Sequence, residues 1–306
     1  MLSLALATMV MAIFGTRVLA QDAAAGPTMD DFNALKVSVD TAWVLLTGFL
    51  VFFMQTGFAL LETGMIRHTG AVNALLENFV DAGLTALCWW AVGFGIAFGA
   101  TNGFFGTTLF APGLDVLSLP MVDVNSNFSW TTIGVGTMFF FQFAFAATAS
   151  TITTGSMAER TDFIGDLLYT AIIAIVIYPV IVHWVWGGGW LGANGFLDFA
   201  GSTVVHTVGG VIALIGAMLL GPRPGRVFGS PPKPHNLAYA TLGTMILWFG
   251  WYGFNPGSTL GITGANAPLV GIVTLNTTLA AGAAAVASLF FIFFRTGKWD
   301  LAATLN

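Results

Sequence analysis

Apolar residues run along this chain in unbroken blocks of membrane-crossing length. After Asp40, seven stretches are each long enough to cross a hydrocarbon layer about 30 Å thick, at approximately 40–65, 72–99, 129–157, 163–186, 200–221, 235–257 and 266–294. A further one begins near Trp299, and the sequence reads as stopping within it. Transmembrane β-strands would alternate apolar and polar positions over segments of about ten residues, so continuous blocks predict helices. The expected fold class is all-α, a polytopic transmembrane helical bundle.

Composition agrees. Of 306 residues only 9 are Lys or Arg and 14 Asp or Glu, while 56% are hydrophobic and 28 are Phe. With a mean hydropathy of +0.85, too little polar surface exists to wrap an aqueous core, whereas outward faces in lipid demand such residues. The net charge of -5 resides in loops and termini, and no nucleic-acid partner is expected. Cys88 is the only cysteine, which excludes an intramolecular disulfide.

Residues 1–20 are apolar and end in Val18-Leu19-Ala20 before a polar segment, the pattern of a secretory signal peptide, although Arg17 lies at its far end and no basic n-region precedes it. Residues 21–39 then form an outer N-terminal segment, and 40–306 the membrane domain. Orientation follows from the basic residues, which cytoplasmic loops retain. Arg67, Arg160, Arg223, Arg226, Lys233, Arg295 and Lys298 all follow odd-numbered spans, and the loops after the second, fourth and sixth contain none. The expectation is a multi-pass protein of the inner (plasma) membrane with its N-terminus outside.

Ionisable groups within a span are costly, so each needs a partner or a pathway. Glu62, Glu77, Asp81, His183, Asp198 and His206 form that list, with Gln55, Asn73, Asn78, Gln142 and Asn255 as uncharged companions. Glu62 and the i,i+4 pair Glu77/Asp81 read as hydrogen-bonding partners between helices. Asp198 reads as the N-cap of the fifth span, and His183 as a hydrogen-bonding anchor near the outer interface. His206 lies eight residues beyond Asp198, which on one helix is two turns and roughly 12 Å deeper. Its neighbours along the chain are small or apolar, pointing to a pore or proton-relay role. His68 and His235 fall in basic loops. Gly95/Gly99 and Gly253/Gly257 have helix-contact spacing, and Gly187–Gly189 reads as a turn or broken helix end after Trp186.

No nucleophile elbow, Walker loop, HExxH or CxxC is present. An enzyme is not expected, and neither is a metal or cofactor.

The segment Asp198-Phe199-Ala200-Gly201-Ser202-Thr203-Val204-Val205-His206 resembles the ammonium transporter (Amt/Mep/Rh) family. Gly155–Arg160, Trp184–Gly189, Pro234–Leu237 and Gly250–Ser258 resemble its other blocks in its order, and the likeness runs from about residue 40 to the end. It implies that Phe145, Trp186 and Ser258 border an outer ammonium recruitment site, with Phe145 and Phe254 the stacked rings of a gate beneath it. His206 would be the first of two pore histidines, Asp198 a buried acid shaping the vestibule, and Phe141 a further lining residue. The family fold is eleven helices in a homotrimer, each subunit with its own pore between inverted halves; about seven and a half spans are present here. The second pore histidine, about 150 residues beyond the first in the family, is absent from this sequence.

The implied function is passage of ammonium/ammonia: recruitment, deprotonation and transit through a hydrophobic pore. The alternative is an ammonium sensor coupled to a cytoplasmic signalling domain; gas conduction in the Rh manner fits less well, because Trp186 and Ser258 supply a cation-recruiting mouth. Beyond the lipid bilayer, the partner that the resemblance suggests is a PII-type regulator on the basic loops.

Overall fold

The computed structural model describes residues 26–230 and 233–305; the expected signal peptide at 1–20 lies outside them. Contacts divide the chain into a first unit ending at Ser38 and a second, Val39–Asn306. In the first, the described residues are helical from Met29 onward.

All seven apolar blocks are helices. α1 is Met29–Met65, starting well before the expected residue 40. The cause is local: the Asp31 carboxylate accepts bonds from the Thr28 amide and hydroxyl at 2.8 Å each, and the Asp31 amide donates back to the Thr28 hydroxyl. That reciprocal T-x-x-D cap nucleates the helix ahead of its apolar part. α2 comprises Ala71–Cys88, a π-turn at Trp89–Gly93 and Phe94–Phe98.

α3, Val135–Met157, starts later than residue 129, because the Val135 amide donates to the Leu119 carbonyl at 2.9 Å and Pro120 bridges Gly134. Those contacts hold 129–134 as loop. α4 runs Phe163–Ile172, Ile173–Ile177 as a π-turn, then Tyr178–Val185, capped by Asp162. α5 opens with a π-turn, Ser202–Thr207, and continues as Val208–Leu220. α6 is Leu237–Gly257, capped by Asn236, and α7 is Asn266–Thr296. Among the described residues there is no strand beyond isolated bridges.

Six of the seven are long and apolar enough to cross a membrane; α6 alone falls outside that set. Its polar side chains bond to α7 instead, Asn255 to Thr277 at 3.1 Å and Tyr252 to Thr278 at 2.9 Å. α3 is the central helix, with 72% of its span buried against 6% for α7. The core around it is aromatic, including Phe94, Phe98, Phe141, Phe145, Trp89 and Phe254.

Small residues bring α6 onto α1 backbone to backbone. A Cβ on Gly253 would lie 2.5 Å from the Thr47 carbonyl oxygen, and one on Gly257 2.6 Å from Thr47 Cβ. Gly95 and Gly99 differ from expectation: they pack against the loop at Thr108 and Phe110, not another helix. The chain doubles back after Phe98, and only glycine leaves room for that loop.

At one end of the bundle Glu159 bridges Arg67, at 2.5 Å, and Arg223, at 3.8 Å. Arg223 also donates to the carbonyls of Ala158 and Gly155, and Arg160 to those of Ser156 and Gly221. Three basic residues that follow α1, α3 and α5 thus converge on the α3 C-terminus, where terminal carbonyls lack helical partners.

Candidate functional site

The site is built by three helix segments and one loop. α3 supplies Phe141 and Phe145, one turn apart, with ring centroids 4.7 Å apart. α6 brings Phe254 against them: Phe145 and Phe254 stack at 4.0 Å with 26° between planes. Phe145 and Phe254 are wholly buried and Phe141 is 1% exposed. The end of α4 contributes Trp186, edge-on to Phe145 at 6.2 Å.

A cavity of about 580 Å³ lies on the Trp186 side of the stack, lined by Phe141, Gln142, Phe145, Trp186, Asp198 and Ser258 among others. The Ser258 hydroxyl donates to the Phe254 carbonyl at 2.8 Å, which orients its lone pairs to accept from a guest. Gln142, 5% exposed, leaves its Oε1 without a donor. An aromatic wall with the Ser258 hydroxyl as an acceptor is suited to a small N–H-bearing cation.

Asp198 organises the fourth element. One carboxylate oxygen accepts from the amides of Gly201 at 2.7 Å and Ser202 at 3.0 Å, the other from Thr203 and Val204 at 2.8 Å each. Four amides at the α5 N-terminus are therefore satisfied by one anion, which also meets the positive end of the helix dipole. The expectation of capping thus has a geometric counterpart. Asp198 is half-buried, though, not the buried acid that the resemblance implied, because it also faces the cavity. Its carbonyl accepts the Trp186 indole N–H at 2.7 Å, so one residue sets both the helix start and the tryptophan.

Gly201 makes the turn between them with φ of +100°, and a Cβ there would also press on Val205 at 2.7 Å. Since 198–201 lie outside the helix and α5 starts in a π-turn, the depth of His206 below Asp198 is not two α-turns; that expectation is corrected. The π-turn, with the His206 amide donating to the Gly201 carbonyl five residues back at 3.0 Å, swings the imidazole under the stack. His206 lies 5.3 Å from Phe254 and stacks on Trp251 at 5.6 Å and 18°. Its Nε2 is buried without a hydrogen-bond partner.

The expected residues thus fall in one column, with Phe141 beside Phe145 on the cavity wall. From the cavity inward come Trp186, Ser258 and Asp198, then Phe145 on Phe254, then His206. Sequence reasoning assigned no part to Trp251, yet its i,i+3 spacing from Phe254 on α6 puts both on one face. His183 lies apart, fully buried. Its Nδ1 donates to the Ala97 carbonyl at 3.0 Å and its Nε2 pairs with the Thr101 hydroxyl at 2.8 Å, as an anchor between α4 and α2 would.

The model of the Ammonium Transporter Family matches residues 42–306. Ammonium transporter Amt2 of Archaeoglobus fulgidus is 45% identical over 287 residues, covering 89% of this chain and 58% of that protein. Ammonium transporter 1 member 3 of Solanum lycopersicum is 39% identical, covering 86% and 59%. Among solved structures, a Sensor Amt Protein superposes with a TM-score of 0.80 at 37% identity, covering 89% of this chain and 66% of that one. Candida albicans Mep2 superposes with 0.78 at 31%, covering 92% and 61%. This chain thus spans less than two thirds of the length of these relatives. Matched along nearly all of its apolar helices in both sequence and fold, the chain belongs to the ammonium transporter family.

Proposed function

We propose that the protein passes ammonium or ammonia across a membrane by recruiting the ion at the Trp186/Ser258 cavity, removing its proton there, and admitting ammonia past Phe145 and Phe254 to His206. The observation that carries this reading is the stacked phenylalanine pair with an aromatic, acceptor-bearing cavity on one side and a buried, unpartnered imidazole nitrogen on the other.

The energetics favour deprotonation. Ring faces hold a small cation by about 0.5–2 kcal/mol, weakly enough for release. Moving an intact ion of that size into a dry channel costs on the order of 20 kcal/mol by the Born argument. Shedding its proton at neutral pH costs about 4.6 kcal/mol if the lysine ammonium pKa of about 10.4 stands in for ammonium. Potassium has no proton to shed, so the same pore refuses it. The unpartnered His206 nitrogen then hydrogen-bonds the ammonia or relays the proton.

The full reading is a homotrimer in the inner (plasma) membrane, N-terminus outside, with Arg67, Arg160 and Arg223 at the cytoplasmic face and a PII-type regulator as the partner there. The test is electrical. Proteoliposomes of the full-length protein are expected to give an ammonium-dependent current that potassium does not reproduce, and His206→Ala to weaken that discrimination. Equal potassium current through the unaltered protein refutes the mechanism.

A second reading, ammonium sensing, is favoured by the likeness to a protein named as a sensor. It requires a signalling domain in the reading frame beyond Asn306, and the frame itself decides between the two.

A further inference from the structure

We infer that Glu77, Asp81 and Asp166 form a proton-binding site inside the bundle, separate from the Phe145–His206 column and filled from the end where Arg67 and Glu159 meet. The inference goes beyond the transport reading and does not rest on it.

Three acids come together between α2 and α4. Glu77, Asp81 and Asp166 are 3%, 1% and 1% exposed, and the Asp81 and Asp166 carboxyls are within hydrogen-bonding reach of each other. Each has one neutral donor: Asn73 to Glu77 at 2.6 Å, Thr170 to Asp81 at 2.9 Å, and the Tyr169 hydroxyl to Asp166. Glu62 on α1 extends the group, taking bonds from Asn78 at 2.9 Å and Thr154 at 3.0 Å. No described basic residue forms an ion pair with any of them. Of the cations at this end, Arg67 and Arg223 pair with Glu159 and Arg160 donates to the carbonyls of Ser156 and Gly221; from α3 the Thr154 hydroxyl reaches Glu62 and that of Ser150 reaches Thr170.

A hydrogen census shows what is missing. Asp81 Oδ2 and Asp166 Oδ2 are buried with no donor, and so is Oδ1 of Asn78, a 2% exposed side chain whose amide nitrogen already serves Glu62. Acceptors outnumber donors in a dry place, and adjacent like charges there cannot all persist. One proton between Asp81 and Asp166 removes a charge and supplies the absent donor at once, the arrangement of carboxyl pairs that titrate jointly. The step is carboxylate plus hydronium giving carboxyl plus water. Access exists: a cavity of about 220 Å³ lined by Arg67, Thr69, Asn73, Glu77 and Glu159 opens on Glu77, which makes Glu77 the entry group.

The test uses the full-length protein in nanodiscs and infrared difference spectroscopy, with no ammonium present. With aspartate carboxyls ¹³C-labelled, which sets Asp81 and Asp166 apart from Glu62 and Glu77, a protonated-carboxyl C=O band that shifts in D₂O is expected at neutral pH. It should vanish in Asp81→Asn and in Asp166→Asn, because the new amide supplies the missing donor and lets the remaining acid ionise. Glu77→Gln should keep the band but slow its deuterium exchange. Absence of the band in the unaltered protein, or its survival in both Asp variants, overturns the proposal; unchanged exchange in Glu77→Gln overturns the route. If the Asp variants do not fold, the labelled aspartates of the unaltered protein decide: a protonated carboxyl signal supports the site, and only ionised signals overturn it. A failure of ammonium current leaves these readouts unmoved, so the two failures are distinguishable.

Discussion

Asp198 offers the sharpest quantitative test, because four backbone amides depend on one side chain. In Asp198→Asn the retained oxygen keeps two of them, while the new NH₂ group turns donors toward the other two. Hydrogen bonds to a charged group are worth about 1.5 kcal/mol or more each, so losing two costs about 3 kcal/mol. Asp198→Ala orphans all four and should cost more, beyond the upper end of ordinary cap deletions at about 2 kcal/mol. Equilibrium unfolding of the full-length protein in detergent, followed by tryptophan fluorescence, is the assay. Trp186 reports directly, since its indole is bonded to the Asp198 carbonyl. The expected order of stability is parent, then Asn, then Ala, with the folded-to-unfolded ratio falling on the order of a hundredfold for Asn. Both variants lying within about 0.5 kcal/mol of the parent would refute the claim that this carboxylate sets the start of α5.

Three further outcomes are expected. Phe254→Ala removes half of the 4.0 Å stack and should raise potassium leak in proteoliposomes while the protein still inserts and folds; loss of expression alone would point to packing as its role. Gly253→Ala puts a Cβ 2.5 Å from the Thr47 carbonyl and should lower stability by about 1–3 kcal/mol as overpacking. The same change at Gly282, with nothing within 4 Å, should be neutral or slightly stabilising; thermal unfolding compares them. His183→Phe leaves the Ala97 carbonyl and the Thr101 hydroxyl without their partner and should cost about 1–3 kcal/mol, visible as earlier unfolding with the Phe145–Phe254 column left intact.

The helices were legible because lipid is a severe solvent: a chain that crosses it must carry long apolar runs and satisfy its backbone internally. All seven blocks are helical for that reason. Boundaries were less legible, since the Thr28–Asp31 cap and the 129–134 loop are decided by polar contacts that hydropathy does not weigh. The family blocks contain Trp186, His206, Phe254 and Ser258, and the resemblance implied Phe145 beside them, but only the tertiary structure decided that Phe145 and Phe254, on α3 and α6, touch face to face. It also brought Trp251 onto His206 and turned α5 through a π-turn. Asp166 was passed over in the sequence because it lies one turn after Asp162 and looks like an ordinary first-turn acid. Its meeting with Asp81 depends on how α2 packs on α4. What the sequence by itself determined is therefore the solvent, the helix content and the chemical vocabulary; which residues meet was decided by packing, because contacts between distant helices depend on crossing geometry that no local pattern encodes.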